Sequence, residues 1–408
     1  MRLPRLPAVF SHALFLGGFA MTNGCAQTPI KPSIDPGRLR PSAQFTFPEA
    51  TRFLDSAITS GAAPGAVLGV SLNGRWFIHG TGQIGVGVPA VPDSATEYDL
   101  ASLTKVIGLT TAMMIAVDSG LIDLDAPIQR YVPAFTGPGK ERVTVRMLMV
   151  HASGLPAWRP LYRETETRAD ALALVDTTAL DTVPGTRFVY SDLGAIVLTQ
   201  AVEAVLHQRI DSLLANRVFQ PLDMTSTRYL PPASWLPRIA PTENDPWRGR
   251  LLRGEVHDEN ASRLGGVSGH AGLFSTVPDL LRFGDWLIQC SKGFSTVGTS
   301  KPAVPLPHCL WDFSHRQNIP PGSSRAIGWD TPSAGSSAGS LLSAESIWHT
   351  GFTGTAIWID PTRDLVIVLL TNRVNPTREN NRMGPVRRGV TDAVVRELNR
   401  QAGGSLHQ

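Results

Sequence analysis

Strand-like segments lie only towards the two ends of this chain. Residues 66–72 and 75–79 are apolar runs on either side of Asn73-Gly74, and residues 355–359 and 365–370 have the same character near the far end. Asn-Gly between two such runs marks a hairpin, because both residues tolerate positive φ. Helical patterns and loops fill most of the chain between, including a helix predicted from 103 to 120 with Gly120 as its stop. A helical tail is predicted over 386–398. A strand must bury one face against something. The order therefore predicts an α/β architecture of the α+β kind, with one antiparallel sheet built from both ends of the chain, helices on its faces and an all-α lobe inserted. The sheet lobe is expected over about 45–100 plus 320–400 and the helical lobe over about 101–319. A cleft between the lobes is the natural place for a site.

Composition supports a globular enzyme-sized body. Of 408 residues, 42% are hydrophobic and 17% charged, enough apolar material for a core and too little charge for general disorder. Residues 1–24 carry Arg2 and Arg5, then an apolar run, then small or polar residues up to Gly24-Cys25, which is the order of an export signal. Without Arg2 and Arg5 the chain keeps 35 basic against 34 acidic side chains, and it has no Lys/Arg-rich run, so nucleic acid is not an expected partner. Cys25 is placed like the lipidated first residue of a bacterial lipoprotein, although Thr22 and Asn23 depart from that signal. Residues 25–44 look like a tether. The expected location is therefore periplasmic or outer-surface, with a lipid anchor at Cys25. Cys290 and Cys309 are close enough in sequence to close a loop in an oxidising compartment, and equally able to stay unpaired.

Three short motifs carry chemistry. Ser102-Leu103-Thr104-Lys105 opens the helix over 103–120, and residues three apart on a helix share a face. The amine can then sit beside a hydroxyl that needs activation to act as a nucleophile. Alone, the pattern is also what an N-cap followed by a surface lysine produces. Tyr190-Ser191-Asp192 enters a second apolar helix and can present a phenol as a general base. His349-Thr350-Gly351-Phe352 precedes a strand: a hydroxyl and a cationic or donor side chain there can hold a carboxylate or carbonyl. Gly351 permits close approach, and the Phe352 N–H can donate to an oxyanion.

In this order, the three resemble the Ser-x-x-Lys, Ser-Asp-Asn and Lys-Thr-Gly set of serine β-lactamases and penicillin-binding proteins. The tyrosine in the second motif is similar to the class C β-lactamase, D,D-carboxypeptidase and esterase branch. The stretches 148–156, 218–227 and 272–279 match as well, and the resemblance covers about residues 47–400. It implies a β-lactamase/transpeptidase-like fold and an acyl-enzyme on Ser102. Lys105 and Tyr190 share the proton work, with Tyr190 as base. The N–H groups of Ser102 and Phe352 form the oxyanion hole, and His349 and Thr350 hold the far side of the substrate. No cofactor is implied, and no zinc-type spacing occurs.

Two departures matter. Asp192 stands where many members carry Asn, replacing amide donors by acceptors at a substrate-facing position. His349 stands in place of Lys, which predicts a charge that titrates near neutrality. Both argue against a dedicated β-lactamase. The Gly-rich block 254–274, with His257, Asp258, Asn260 and His270, is expected to form one wall of the cleft, His270 touching substrate. That block resembles a subgroup of peptidoglycan hydrolases that includes D,D-carboxypeptidases and an N-acetylmuramyl-L-alanine amidase. The expected partner is thus a peptidoglycan peptide or a small ester or amide. A promiscuous esterase or weak β-lactamase is the rival enzyme, and a penicillin-acylated sensor without turnover is the rival from another class.

Overall fold

The computed structural model describes residues 45–292 and 313–404, all within one unit that runs from Pro41 to Gln408. The export segment, the tether, Cys25 and Cys309 lie outside the described residues.

Helix α1 (Pro48–Thr59) is followed by the hairpin β1 (Gly65–Leu72) and β2 (Arg75–Gly82). Asn73 and Gly74 take φ of 51° and 73°, so both turn residues are left-handed, as a two-residue hairpin loop requires. The other end supplies β3 (Ile347–Thr350), β4 (Ala356–Asp360) and β5 (Leu365–Thr371). The five strands form one sheet in the order β2-β1-β5-β4-β3, every pair antiparallel, with Leu68 opposite Leu369 where the two ends of the chain meet.

Alternation along the strands divides the interior in two. Val366, Val368 and Leu370 of β5 face one core with α4 (Val277–Ser291), and Leu365, Ile367 and Leu369 face the other with α1 and α5 (Met383–Gly404). Every residue of β5 is buried, which explains why it reads as an unbroken apolar run. α4 falls within the stretch assigned from sequence to the helical lobe, yet it packs on the sheet. The α1 N-terminus is capped from across the molecule: Glu397 of α5 accepts the N–H groups of Glu49 and Ala50 at 2.8 and 3.2 Å.

The first core continues into the helical region, where Lys105–Thr110 winds as a π-helix into α2 (Thr111–Asp118) and packs against α3 (Asp192–Leu206). Gly120, with φ of 68°, follows the end of α2. A small second sheet joins Tyr98–Asp99 to Leu273–Ser275 and Arg228–Tyr229, and holds the chain just before Ser102.

Candidate active site

Ser102 lies where this small sheet gives way to the π-helical turn. Its neighbour Ala101 is left-handed, with φ of 46°, an uncommon conformation for a residue bearing a Cβ. Asp99 holds that turn: its carboxylate accepts the Ala101 N–H at 2.8 Å and the His257 N–H at 2.6 Å from a position 2% exposed.

Lys105 is buried behind Ser102. Its ammonium donates to Ser102 Oγ at 3.1 Å and to the His270 carbonyl at 3.0 Å, and pairs with Asp192 Oδ1 at 2.7 Å. Burial works against the charge, but Asp192 and then Tyr190 outweigh it and hold the Lys105 pKa above the ordinary lysine range.

The second motif is fixed by its middle residue. Ser191 caps α3 by accepting the Gly194 N–H at 3.2 Å and donates to the Pro156 carbonyl at 2.6 Å, while its own N–H donates to His151 Nδ1. The Tyr190 ring thereby lies against His151, with centroids 4.4 Å apart, and 5.0 Å from the Lys105 ammonium. Its hydroxyl is buried and makes no hydrogen bond of ordinary geometry.

The third motif is pinned to the nucleophile's turn. Thr353 and Thr355 donate their hydroxyls to the carbonyls of Asp99 and Leu100, drawing the 351–355 loop onto that backbone. A Cβ on Gly351 would lie 2.4 Å from the Leu100 carbonyl oxygen, so no other residue fits there. Among the described residues neither the Ser102 nor the Phe352 N–H has a protein acceptor.

The structure corrects the expected charge at His349. Its Nδ1 lies 2.9 Å from the Thr350 carbonyl, which can only accept, so Nδ1 carries the proton and Nε2 is a bare, buried acceptor. Burial, then Arg325 and Lys105, push its pKa well below the ordinary histidine value. The ring is therefore neutral near neutrality and offers a lone pair, not a cation. His270 also differs from expectation: its ring is 1% exposed and occupied by Ser268 Oγ at 2.7 Å and Asp258 at 2.9 Å. What His270 brings to the site is its backbone carbonyl. Asp192, expected at the substrate, pairs its Oδ1 with Lys105.

Ser102 and Tyr190 open onto a cleft of about 370 Å³ whose wall holds Thr350 and three arginines missed from the sequence, Arg325, Arg373 and Arg387. Arg387 donates to the Gly351 and Thr355 carbonyls at 2.7 and 3.0 Å, and Arg373 to the Phe352 carbonyl at 2.8 Å. Arg325 lies over the Tyr190 ring and 3.5 Å from Asp330. Arg325 Nη1 and Arg387 Nε are buried donors without a partner. Burial and the neighbouring Arg373 lower the Arg387 pKa to about 10.

The sequence pattern of the Beta-lactamase family matches residues 50–391. The chain is 28% identical over 328 residues to a Salmonella agona (strain SL483) protein named "Putative D-alanyl-D-alanine carboxypeptidase", covering 73% of this chain and 74% of that one. A Salmonella schwarzengrund (strain CVM19633) protein of the same name is 29% identical over 321 residues, 71% of this chain and 72% of its own. Among solved structures, a class C β-lactamase from Rhodobacter sphaeroides superposes with a TM-score of 0.66 at 21% identity, over 86% of this chain and 99% of that one. A penicillin-binding protein homologue from Caulobacter crescentus gives 0.67 at 17%, over 85% and 96%. This chain belongs to the β-lactamase family, and is a serine hydrolase with the β-lactamase/transpeptidase-like fold.

Proposed function

We infer that the protein is an exported D,D-carboxypeptidase that works through an acyl-enzyme on Ser102 and releases the terminal residue of a peptidoglycan peptide. The observation that carries this reading is the pair of buried, unpartnered guanidinium donors on Arg325 and Arg387 in the wall of the cleft that holds Ser102. A buried unpaired donor is costly unless an acceptor arrives, and a guanidinium suits a carboxylate. A peptide cleaved before its last residue brings that carboxylate next to the scissile bond. The curated relatives' name agrees with this choice.

In this mechanism Tyr190 acts as its phenolate: Ser102 Oγ attacks the penultimate carbonyl carbon as its proton passes to the Tyr190 oxygen. Lys105 does not receive the proton, because its pairing with Asp192 keeps it an ammonium; it steadies Ser102 Oγ. The Ser102 and Phe352 N–H groups receive the oxyanion. The C–N bond then breaks, the proton passes to the leaving amine, and the free amino acid departs. Water, deprotonated by Tyr190, attacks the ester; the C–Oγ bond breaks and Tyr190 returns that proton to Ser102 Oγ, releasing the shortened peptide. Export and a lipid anchor at Cys25 belong to the same proposal, supported by the order of residues 1–25.

The test compares peptides ending in D-Ala-D-Ala carboxylate with the same peptides ending in an amide. Free D-Ala from the carboxylate form is expected, with KM raised about 10–100-fold in Arg325→Ala and little preference left between the two ends. Equal cleavage of both ends would overturn the carboxylate reading. Release of intact peptide from its sugar would move the assignment to the muramyl–L-alanine bond. Turnover of simple esters alone would make the protein an esterase, and a single stoichiometric burst a sensor.

A further inference from the structure

One residue of the Gly-rich block 254–274 touches both halves of the oxyanion hole. His257 is buried, 4% exposed. Its backbone N–H donates to Asp99, the carboxylate that also accepts the Ala101 N–H beside Ser102. Its ring stacks on the ring of Phe352, with centroids 5.7 Å apart and planes inclined by 28°. The backbone of His257 thus supports the turn that carries the Ser102 N–H, and its side chain supports the residue that carries the other N–H.

A closed circuit of contacts holds that ring in place. His257 Nε2 lies 2.8 Å from Glu243 Oε2. Burial raises the Glu243 pKa, but the bonds from His257 and Arg378 outweigh it and bring the value to about 2. The carboxylate is therefore ionised, and Nε2 carries the donated proton. Arg378 donates to Glu243 through its backbone N–H at 2.9 Å and its Nε at 2.8 Å, and its carbonyl accepts Arg373 Nη1 at 3.0 Å. Arg373 donates to the Phe352 carbonyl at 2.8 Å and lays its guanidinium over the Phe352 ring, 4.5 Å from the centroid. From His257 the contacts run through Glu243, Arg378, Arg373 and Phe352 and return to His257.

Phe352 needs that support. Gly351 precedes it and Gly354, with φ of 114°, follows two residues later, so the backbone around it has wide freedom. Its ring is 47% exposed, and burial alone gives it little reason to keep one orientation. The N–H of Phe352 belongs to the planar peptide that begins at Gly351. Arg387 holds the Gly351 carbonyl of that peptide, and the contacts on the Phe352 side chain fix its other end. We propose that His257 is a positioning residue of the oxyanion hole: bonded to Asp99 by its backbone and stacked on Phe352 by its ring, it fixes the separation of the two N–H donors. This rests on the acyl-enzyme at Ser102 and is indifferent to which bond the enzyme cleaves. Donors set to the oxyanion accelerate the chemical step without tightening substrate binding.

Substitutions at His257 remove the ring and keep the backbone N–H to Asp99, so they isolate the stacking contact. His257→Ala is expected to slow acylation by benzylpenicillin about 10–100-fold. The ester carbonyl of the acyl-enzyme should then be less polarised, and its stretching band in infrared difference spectra should move to higher frequency. The Kd of a peptide ending in D-Ala-D-Ala for Ser102→Ala protein should not change when His257→Ala is added. His257→Phe, which keeps a flat face, should restore most of the rate. Phe352→Ala keeps its own N–H, removes a half-exposed ring and leaves the buried network intact. It should match His257→Ala, and the double variant should be no slower than either single one. Additive losses, or an unmutated rate and carbonyl frequency in His257→Ala or Phe352→Ala, would overturn the positioning role and leave the peptidase reading untouched. The expected His257 effects with no D-Ala released by the unmutated enzyme would instead sink the peptidase reading and leave the positioning role standing.

Discussion

The Lys105 ammonium donates to Ser102 Oγ and the His270 carbonyl, pairs with Asp192 and lies against Tyr190, and the division of labour at the site follows from that setting. A lysine that keeps its proton organises Ser102 and leaves the base role to Tyr190 in both steps, so Tyr190→Phe should slow formation and hydrolysis of the acyl-enzyme alike. Stopped-flow acylation and deacylation rates check this; an unmutated rate in either step would give the base role in that step to another group. Asp99→Ala would strip the Ala101 and His257 N–H groups of their acceptor inside the protein. It should cost about 1–3 kcal/mol or more, read from denaturant unfolding. His349 is neutral when folded and titrates near pH 6.5 when unfolded, so below about pH 6.5 the unfolded chain binds the extra proton and stability falls as pH drops. Buried Asp279 and Glu97, with pKa values raised to about 6 and about 8, contribute with the opposite sign. The difference in Tm between the unmutated protein and His349→Gln isolates the histidine; it should shrink as pH falls from about 7 to 5. A pH-independent difference would contradict a neutral His349. The sequence alone pointed the other way on this residue, because its charge is decided by burial and by the Thr350 carbonyl.

Each motif in the site begins or ends a regular element. Ser102 precedes a helical turn, Tyr190 precedes the Ser191 cap of α3, and Gly351 follows β3. Such junctions were legible, because caps, turns and strand ends are local chemistry that short residue patterns record. Asn73-Gly74 was legible for the same reason. The cleft arginines were not. Arg325, Arg373 and Arg387 come from three segments, and two of them support backbone carbonyls as any surface arginine can; only the assembled fold shows that they share a wall. His270 was drawn into the site by its Gly-rich setting, but its ring faces Ser268 and Asp258 while its carbonyl faces Lys105. At this scale Glu397 makes a clear prediction. Glu397→Ala should lower stability by about 1–2 kcal/mol through loss of the α1 cap, with kcat/KM unchanged, measured by thermal melting and steady-state assay. A change in kcat/KM without a change in Tm would contradict a purely structural role.

The whole molecule is closed by pairing its two ends. β1 and β5 pair along seven residues, and both lend alternate side chains to the two cores, so neither core can form without the sheet. Melting followed by tryptophan fluorescence and by far-UV circular dichroism should therefore give coincident transitions; two separated steps would mean independent lobes. The same closure brings the 351–355 loop, from the last third of the chain, onto the backbone beside Ser102, and a Gly351→Ala variant should fold with a displaced loop and lose about 100-fold or more in kcat. The account depends most directly on Ser102. Intact-protein and peptide mass spectrometry after brief incubation with a peptide ending in D-Ala-D-Ala, and separately with a β-lactam, would test it. The account predicts an acyl adduct on the peptide that contains Ser102, free D-Ala from the first compound, and neither in Ser102→Ala. An adduct on another residue, or D-Ala released at the unmutated rate by Ser102→Ala, would contradict it.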